Sequence, residues 1–160
     1  MSAIILLDTS VYLNVLDVPG FNQNRSSILE SFERSIGAGD YFLLPLATVW
    51  ETGNHIAKLS TGQTRRRYAE KLVDEIAKAF QGTTPYRVTH FPNRDEFLCW
   101  LREFPEFVMR SKSPKKQQAG ISLADLSLVK EWERTCKLNP MTRVRIWSLD
   151  EDLACYDYQP

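Results

Sequence analysis

Four acidic residues stand where a chain turns or a helix begins, and their positions suggest shared chemistry. Asp8 follows the apolar run Ala3 to Leu7, and Asp150 follows Arg143 to Leu149. In an open parallel sheet, ligand chemistry gathers outside the carboxyl ends of strands. Both carboxylates therefore lie where a site is expected, although an Asp after a strand is also ordinary turn chemistry. Asp152 is close enough in sequence to share or replace the role of Asp150. Asp125 shares a helical face with Ile121, Leu128, Val129, Trp132 and Cys136. A carboxylate on an apolar face is costly unless it is paired or holds a metal. Ser122-Leu123-Ala124-Asp125 also has the spacing of a helix capping box, and the two roles are compatible. Glu51 lies on a polar face with Ala47, Asn54, His55 and Lys58, and Thr48 to Glu51 repeats the capping-box spacing. A cleft-lining face has the same pattern.

The elements that must position these acids follow from periodicity. Residues 3–7 are a short, continuous apolar run that suits a strand buried on both faces. Residues 25–36 place Ile28, Leu29, Phe32 and Ile36 at helical spacing, with Gly37 and Gly39 as stops. Tyr41 to Leu44 is a second short strand, ended by Pro45. Residues 46–60 and 64–80 predict two helices separated by Thr61-Gly62, the second with the stripe Tyr68, Leu72, Ile76 and Phe80. Residues 82–92 are loop or edge strand. Asn93 caps a helix whose buried face is Phe97, Trp100, Leu101 and Phe104. Ser111 to Gly120 is a polar, basic loop, Ser122 to Leu138 a helix, and Arg143 to Leu149 a last buried strand. Trp50, Trp100, Trp132 and Trp147 sit in apolar patterns that predict core positions. Strands alternating with helices predict a three-layer α/β domain with a mostly parallel central sheet flanked by helices, formed by residues 1–160 as one unit.

Four stretches together resemble the PIN-domain nuclease family. Ile4-Ile5-Leu6-Leu7-Asp8-Thr9-Ser10 is similar to the family's opening strand and Asp-Thr-Ser/Asn turn. Leu44-Pro45-Leu46-Ala47-Thr48-Val49-Trp50-Glu51 is similar to the step bearing its Glu. Ile121 to Leu128 resembles the helix start bearing its third acid, and Val144 to Leu153 its last strand and Thr/Ser-x-Asp turn. All four occur in the family's order and span nearly the whole chain. The resemblance implies a PIN-like domain that binds Mg²⁺ or Mn²⁺ and cleaves RNA endonucleolytically. It implies Asp8 and Asp125 as direct metal ligands. Glu51 and Asp150 complete the shell or orient the water, and Asp152 stands as an alternative fourth acid. Thr9, Ser10 and Ser148 are implied as positioning residues. The small size is similar to the toxin half of a type II toxin–antitoxin pair of the VapC kind, which implies an antitoxin partner. PIN domains also commonly dimerise.

Composition bounds these expectations. The chain has 160 residues, 43% of them apolar, which provides for a real core. Lys+Arg 20 cancels Asp+Glu 20, so nucleic acid is not held by bulk charge. Arg65-Arg66-Arg67 and Lys112, Lys115, Lys116 are the densest cationic clusters and the candidates for phosphate contacts, each also readable as a solvated surface. No segment approaches the length of a membrane span, and Cys99, Cys136 and Cys155 are few and widely spaced, which points to a reducing cytoplasm. A haloacid-dehalogenase phosphatase needs a second Asp where Ser10 stands, and no P-loop pattern is present. The remaining alternative is a degenerate PIN-like domain that binds RNA or a protein partner without cutting.

Overall fold

The computed structural model describes residues 2–110 and 120–160, and among these the chain forms an α/β architecture with five strands and seven helices. The elements run β1 (Ile4–Leu7), α1 (Thr9–Val15), α2 (Arg25–Gly37), β2 (Tyr41–Leu44), α3 (Leu46–Ala57) and α4 (Gly62–Gln81). They continue with β3 (Tyr86–Val88), α5 (Arg94–Val108), α6 (Leu123–Leu138), β4 (Val144–Trp147), α7 (Glu151–Ala154) and β5 (Asp157–Tyr158). Among the described residues no helix is long and apolar enough to cross a membrane.

The strands form one sheet in the order β3-β2-β1-β4-β5, parallel except for the antiparallel β4–β5 pair. The chain builds outward from β1 through β2 to β3, then returns to place β4 on the other side of β1. The strand order therefore reverses between β1 and β4, and in open α/β sheets the crevice outside the carboxyl ends at such a point is where ligands bind.

Alternation along β1 divides the core. Ile5 and Leu7 face one layer, with Phe42 and Leu44 of β2, Val11 and Tyr12 of α1, Ile28 and Phe32 of α2, and Ala79 of α4. Leu6 faces the other, with Val144 and Ile146 of β4, Phe107 of α5, and Leu126, Leu128 and Val129 of α6. Helices thus cover both faces of the sheet, as a continuous apolar strand requires. Each fully buried Leu or Ile contributes about 1.5–3 kcal/mol by leaving water. Leu13 of α1 and Leu16 at its C-cap meet Ile56 of α3 and Leu59 just past it in a third cluster that seats α3 against α1.

Several expectations are met closely. β2 spans the predicted residues, and β3 is an edge strand. The Asn93 side chain caps α5 through Glu96 N. Ser122 and Asp125 form a complete capping box at α6.

Others are corrected. The predicted turn at Asp8 opens directly into α1, and α7 and β5 follow the last predicted strand. Thr48 does not cap α3: the helix starts at Leu46 after Pro45, and the Thr48 hydroxyl donates to Leu7 O at 2.7 Å. Trp50 is 66% exposed rather than core, because it lines a surface cavity with Phe91 and Phe97 instead of packing into an apolar cluster. Phe80 and Phe97 are likewise exposed, at the ends of stripes whose other members are half-buried apart from the buried Trp100. The predicted basic loop, with Lys112, Lys115 and Lys116, lies outside the described residues.

Candidate functional site

Asp8 is the fixed point of the site. Its backbone N–H donates to Trp147 O at 3.0 Å, so the β1–β4 pairing runs one residue past β1 and brings Asp8 to the reversal point. It is the N-cap of α1, which aims its carboxylate at the first turn. Oδ2 accepts from Ser10 N at 3.3 Å, from Ser10 Oγ at 2.7 Å and from Ser148 Oγ at 2.8 Å. Each serine hydroxyl has one proton, and both are spent on Asp8. Each also accepts a backbone N–H from the β4–α7 turn, Leu149 N at 3.0 Å on Ser10 and Asp150 N at 3.0 Å on Ser148. Two hydroxyls therefore bind the end of β1 to the end of β4. Among the described residues these bonds converge on Oδ2, which orients Oδ1 as the oxygen left for a ligand.

Glu51 comes from the other side. Thr9 Oγ1 donates to Glu51 Oε2 at 2.9 Å, linking α1 to α3. The bond from Thr48 to Leu7 O holds α3 across the end of β1, one turn before Glu51. Asp125 reaches the same place through α6. Its Oδ2 accepts from Ser122 N at 3.4 Å while its own N–H donates to Ser122 Oγ at 3.1 Å. Capping and cleft placement coexist in this one residue.

A cleft of about 340 Å³ opens at the carboxyl ends of β1 and β4, lined by Asp8, Thr9, Ser10, Glu51, Asp125 and Asp150. Ser148 lies buried behind Asp8. Asp152 is not among the lining residues, so of the two candidate fourth acids Asp150 faces the cleft. The arginine cluster does not reach it. Arg65 Nη1 donates to Leu59 O at 2.7 Å, Arg66 pairs with Glu70 at 2.8 Å, and Arg67 stands 5.8 Å over the Tyr68 ring.

Two further lining residues stand out. Asn14 is buried; its Nδ2 donates to Ser10 O at 2.9 Å and its Oδ1 accepts from Asn24 N at 3.0 Å, which fixes the α1–α2 loop as a cleft wall. Its sequence signal is the four-residue step from Ser10 on one helical face, legible only once residues 9–15 are read as a helix. His55 lies one turn after Glu51 and packs edge-on against Phe21, centroids 4.6 Å apart. Burial, aided by Lys58, pushes its imidazole below the usual range, so it is neutral at pH 7 and can accept a proton.

The lining acids are an all-oxygen donor set of the kind Mg²⁺ and Mn²⁺ take. Among the described residues, no three His, Cys, Asp or Glu side chains form a group close enough to hold a metal by themselves. Mg²⁺ is commonly held by one or two carboxylates, with water and substrate phosphate completing the shell. No protein-family model matches the chain, and no curated protein matches it either.

Proposed function

We propose that this protein is a metal-dependent endoribonuclease with a PIN-like site. The observation that carries the reading is the convergence of Asp8, Glu51, Asp125 and Asp150 on one cleft at the point of strand reversal. Asp8 and Asp125 would hold Mg²⁺ or Mn²⁺, with Glu51 and Asp150 beside them. Such a cation lowers the pKa of bound water and offsets charge at a scissile phosphate. The protein's own contribution is positioning. Ser10 and Ser148 hold Asp8 in one rotamer, and Thr9 does the same for Glu51. His55, neutral and at the wall, is placed to accept a proton from water or a ribose hydroxyl. An α/β domain with such an acidic cleft suits the toxin of a toxin–antitoxin pair acting in the cytoplasm, with an antitoxin or a second copy as partner.

A second reading, RNA or protein binding without cleavage, is favoured by the lack of a three-residue metal group among the described residues. One experiment separates the two. Purified protein is incubated with single-stranded RNA and Mn²⁺, Mg²⁺ or EDTA, and cleavage is followed on a gel. The nuclease reading expects cutting with metal only. It also expects Asp8→Asn to lose more than the roughly 10–100-fold that a supporting hydrogen bond costs. No cutting under any metal, or cutting by Asp8→Asn and Asp125→Asn that equals that of the wild type, sinks it.

A further inference from the structure

The acids make only part of the cleft wall. Leu13 and Asn14 of α1, Phe21, Gln23 and Asn24 of the α1–α2 loop, and His55 of α3 make much of the rest. None of these six carries a charge at pH 7, and among the described residues no Lys or Arg lines the cleft. A cation and a scissile phosphate would use the acids and leave this uncharged wall without a role. The wall is nonetheless firmly built. Arg25 Nη1 donates to Asn14 O at 2.6 Å and to Val15 O at 2.7 Å, and Lys71 Nζ donates to Leu16 O at 2.6 Å. Within the loop, Asn22 Nδ2 donates to Asp17 Oδ1 at 2.8 Å and Gln23 Nε2 to Gly20 O at 2.7 Å. Asp17 holds a φ of 62°, a left-handed conformation uncommon outside glycine. A segment fixed in advance loses little freedom when a ligand arrives. Phe21 and His55 are half-buried, their rings 4.6 Å apart between centroids with planes at 61°. In an edge-on pair, the ring that gives its edge keeps its own faces. Gln23 and Asn24 are exposed. Asn24 is the N-cap of α2, yet its side chain makes no capping bond, so its amide is left for the cleft.

We propose that this wall binds one unstacked nucleobase of single-stranded RNA, stacked on the Phe21–His55 pair and held at its edge by the amides of Asn24 and Gln23. The proposal rests on the RNA reading above and names how the strand is held beside the acids. Aromatic side chains take splayed bases by their faces, while polar side chains bond the base edges. A side-chain amide offers a donor and an acceptor side by side. Each of the four bases presents an adjacent donor and acceptor on its pairing edge, so the wall holds a base without choosing strongly among them. Other occupants fit less well. A second phosphate would find no cation here and carboxylates nearby. A free sugar would leave the aromatic pair without a stacking partner. A guanidinium would be drawn to the carboxylates rather than to an uncharged wall. Wall and acids share one cleft, and Glu51 and His55 lie one turn apart on α3, so a base on the wall adjoins a phosphate at the acids. Stacking uses the face of the His55 ring and leaves its nitrogens for proton transfer.

The test uses adenosine, cytidine and uridine, which carry no charge for the carboxylates to repel. They are titrated into the intact protein without metal, beside ribose and, as a mimic of a protein side chain, arginine amide. NMR shifts of the Phe21 and His55 rings and of the Asn24 side-chain amide report on the wall. All three nucleosides are expected to move these signals, with affinities within about tenfold of one another. Ribose should leave them in place. Phe21→Leu keeps an apolar side chain on the Leu13–Ile56 cluster and removes the ring, and should weaken every nucleoside by about tenfold or more. Asn24→Ala removes the uncommitted amide and should weaken them by about three- to tenfold. No nucleoside binding, shifts by ribose equal to those by nucleosides, tighter binding of arginine amide at these signals, or unchanged affinity in Phe21→Leu each overturn the proposal. The two readings fail separately. Metal-dependent cleavage by a protein that binds no nucleoside overturns this proposal and leaves the nuclease reading standing. Nucleoside binding at the wall without cleavage under any metal does the reverse.

Discussion

At the residue scale, the site depends on two serine hydroxyls more than its acids alone suggest. Ser10 and Ser148 each donate to Asp8 Oδ2 and each accept a backbone N–H of the β4–α7 turn. Removing one frees a rotamer of Asp8 and leaves a turn N–H without its acceptor. Ser148→Ala is therefore expected to raise the Mn²⁺ concentration for half-maximal cleavage by about 10–100-fold, the usual effect of losing a supporting partner. Cleavage at saturating Mn²⁺ should fall much less. A metal titration reads both numbers, and an unchanged midpoint would show that Ser148 does not act through Asp8. Thr48 works differently. Its hydroxyl is buried and its bond to Leu7 O ties α3 to the sheet. Thr48→Val keeps the shape and loses the donor, which should cost about 1–2 kcal/mol in urea unfolding.

At the scale of elements, α6 carries an internal conflict. Burial pushes the Glu131 carboxyl up to about 7, against the pull of Thr89 and Arg134 and with a push from Glu96. In the unfolded chain it titrates near its ordinary 4.5. Between these values the unfolded chain has released the proton that the folded protein still holds. Stability therefore falls as pH rises through that window, and is level below and above it. At 1.36 kcal/mol per pH unit the loss is about 3 kcal/mol. Glu131→Gln cannot ionise, so its stability relative to wild type should improve by about that amount between pH 4.5 and 7. Urea melts at the two ends of the range measure it, and a pH-independent difference would mean the carboxyl is ionised throughout.

The same helix shows what could be read from the chain and what could not. The Ser122 to Asp125 spacing announced the helix start, and the position of Asp125 on an apolar stripe announced a cleft. Strands β1 and β2 were legible as short apolar runs, and β4 from the alternation of Val144 and Ile146 with their neighbours. Helix α1 was not, because Thr9 to Val15 is short and five of its seven residues are β-branched or polar. Its helicity comes from the Asp8 cap, which is local but reads equally as ordinary turn chemistry, and from packing against α3, which is tertiary. With α1 hidden, Asn14 was hidden too. Trp50 misled for the opposite reason: a large aromatic at helical spacing predicts core, whereas here it walls a pocket. Glu131 drew no notice, since a Glu in a charged helix reads as solvated until its burial is known.

At the scale of the whole molecule, the charges cancel at 20 against 20, so the long-range field does not gather RNA. Affinity must come from local contacts. Among the described residues no lysine or arginine lines the cleft, Arg94 lines the Trp50 cavity, and His55 is neutral. The arginines of α4 are turned to Leu59 O, Glu70 and Tyr68 instead. Each phosphate neutralised on a single strand adds roughly −0.7 to the slope of log affinity against log salt. Binding through the cleft predicts a slope no steeper than about −2, for one to three phosphates. Fluorescence anisotropy of a labelled oligonucleotide on Asp8→Asn in EDTA, between about 50 and 200 mM KCl, gives the number. Replacing Arg65, Arg66 and Arg67 together by Ala should leave both affinity and slope within about twofold, because none of the three faces a cavity. A slope near −5 that flattens in this triple variant would instead place the RNA along α4. It would then be the cluster of like charges, rather than the cleft, that holds the strand.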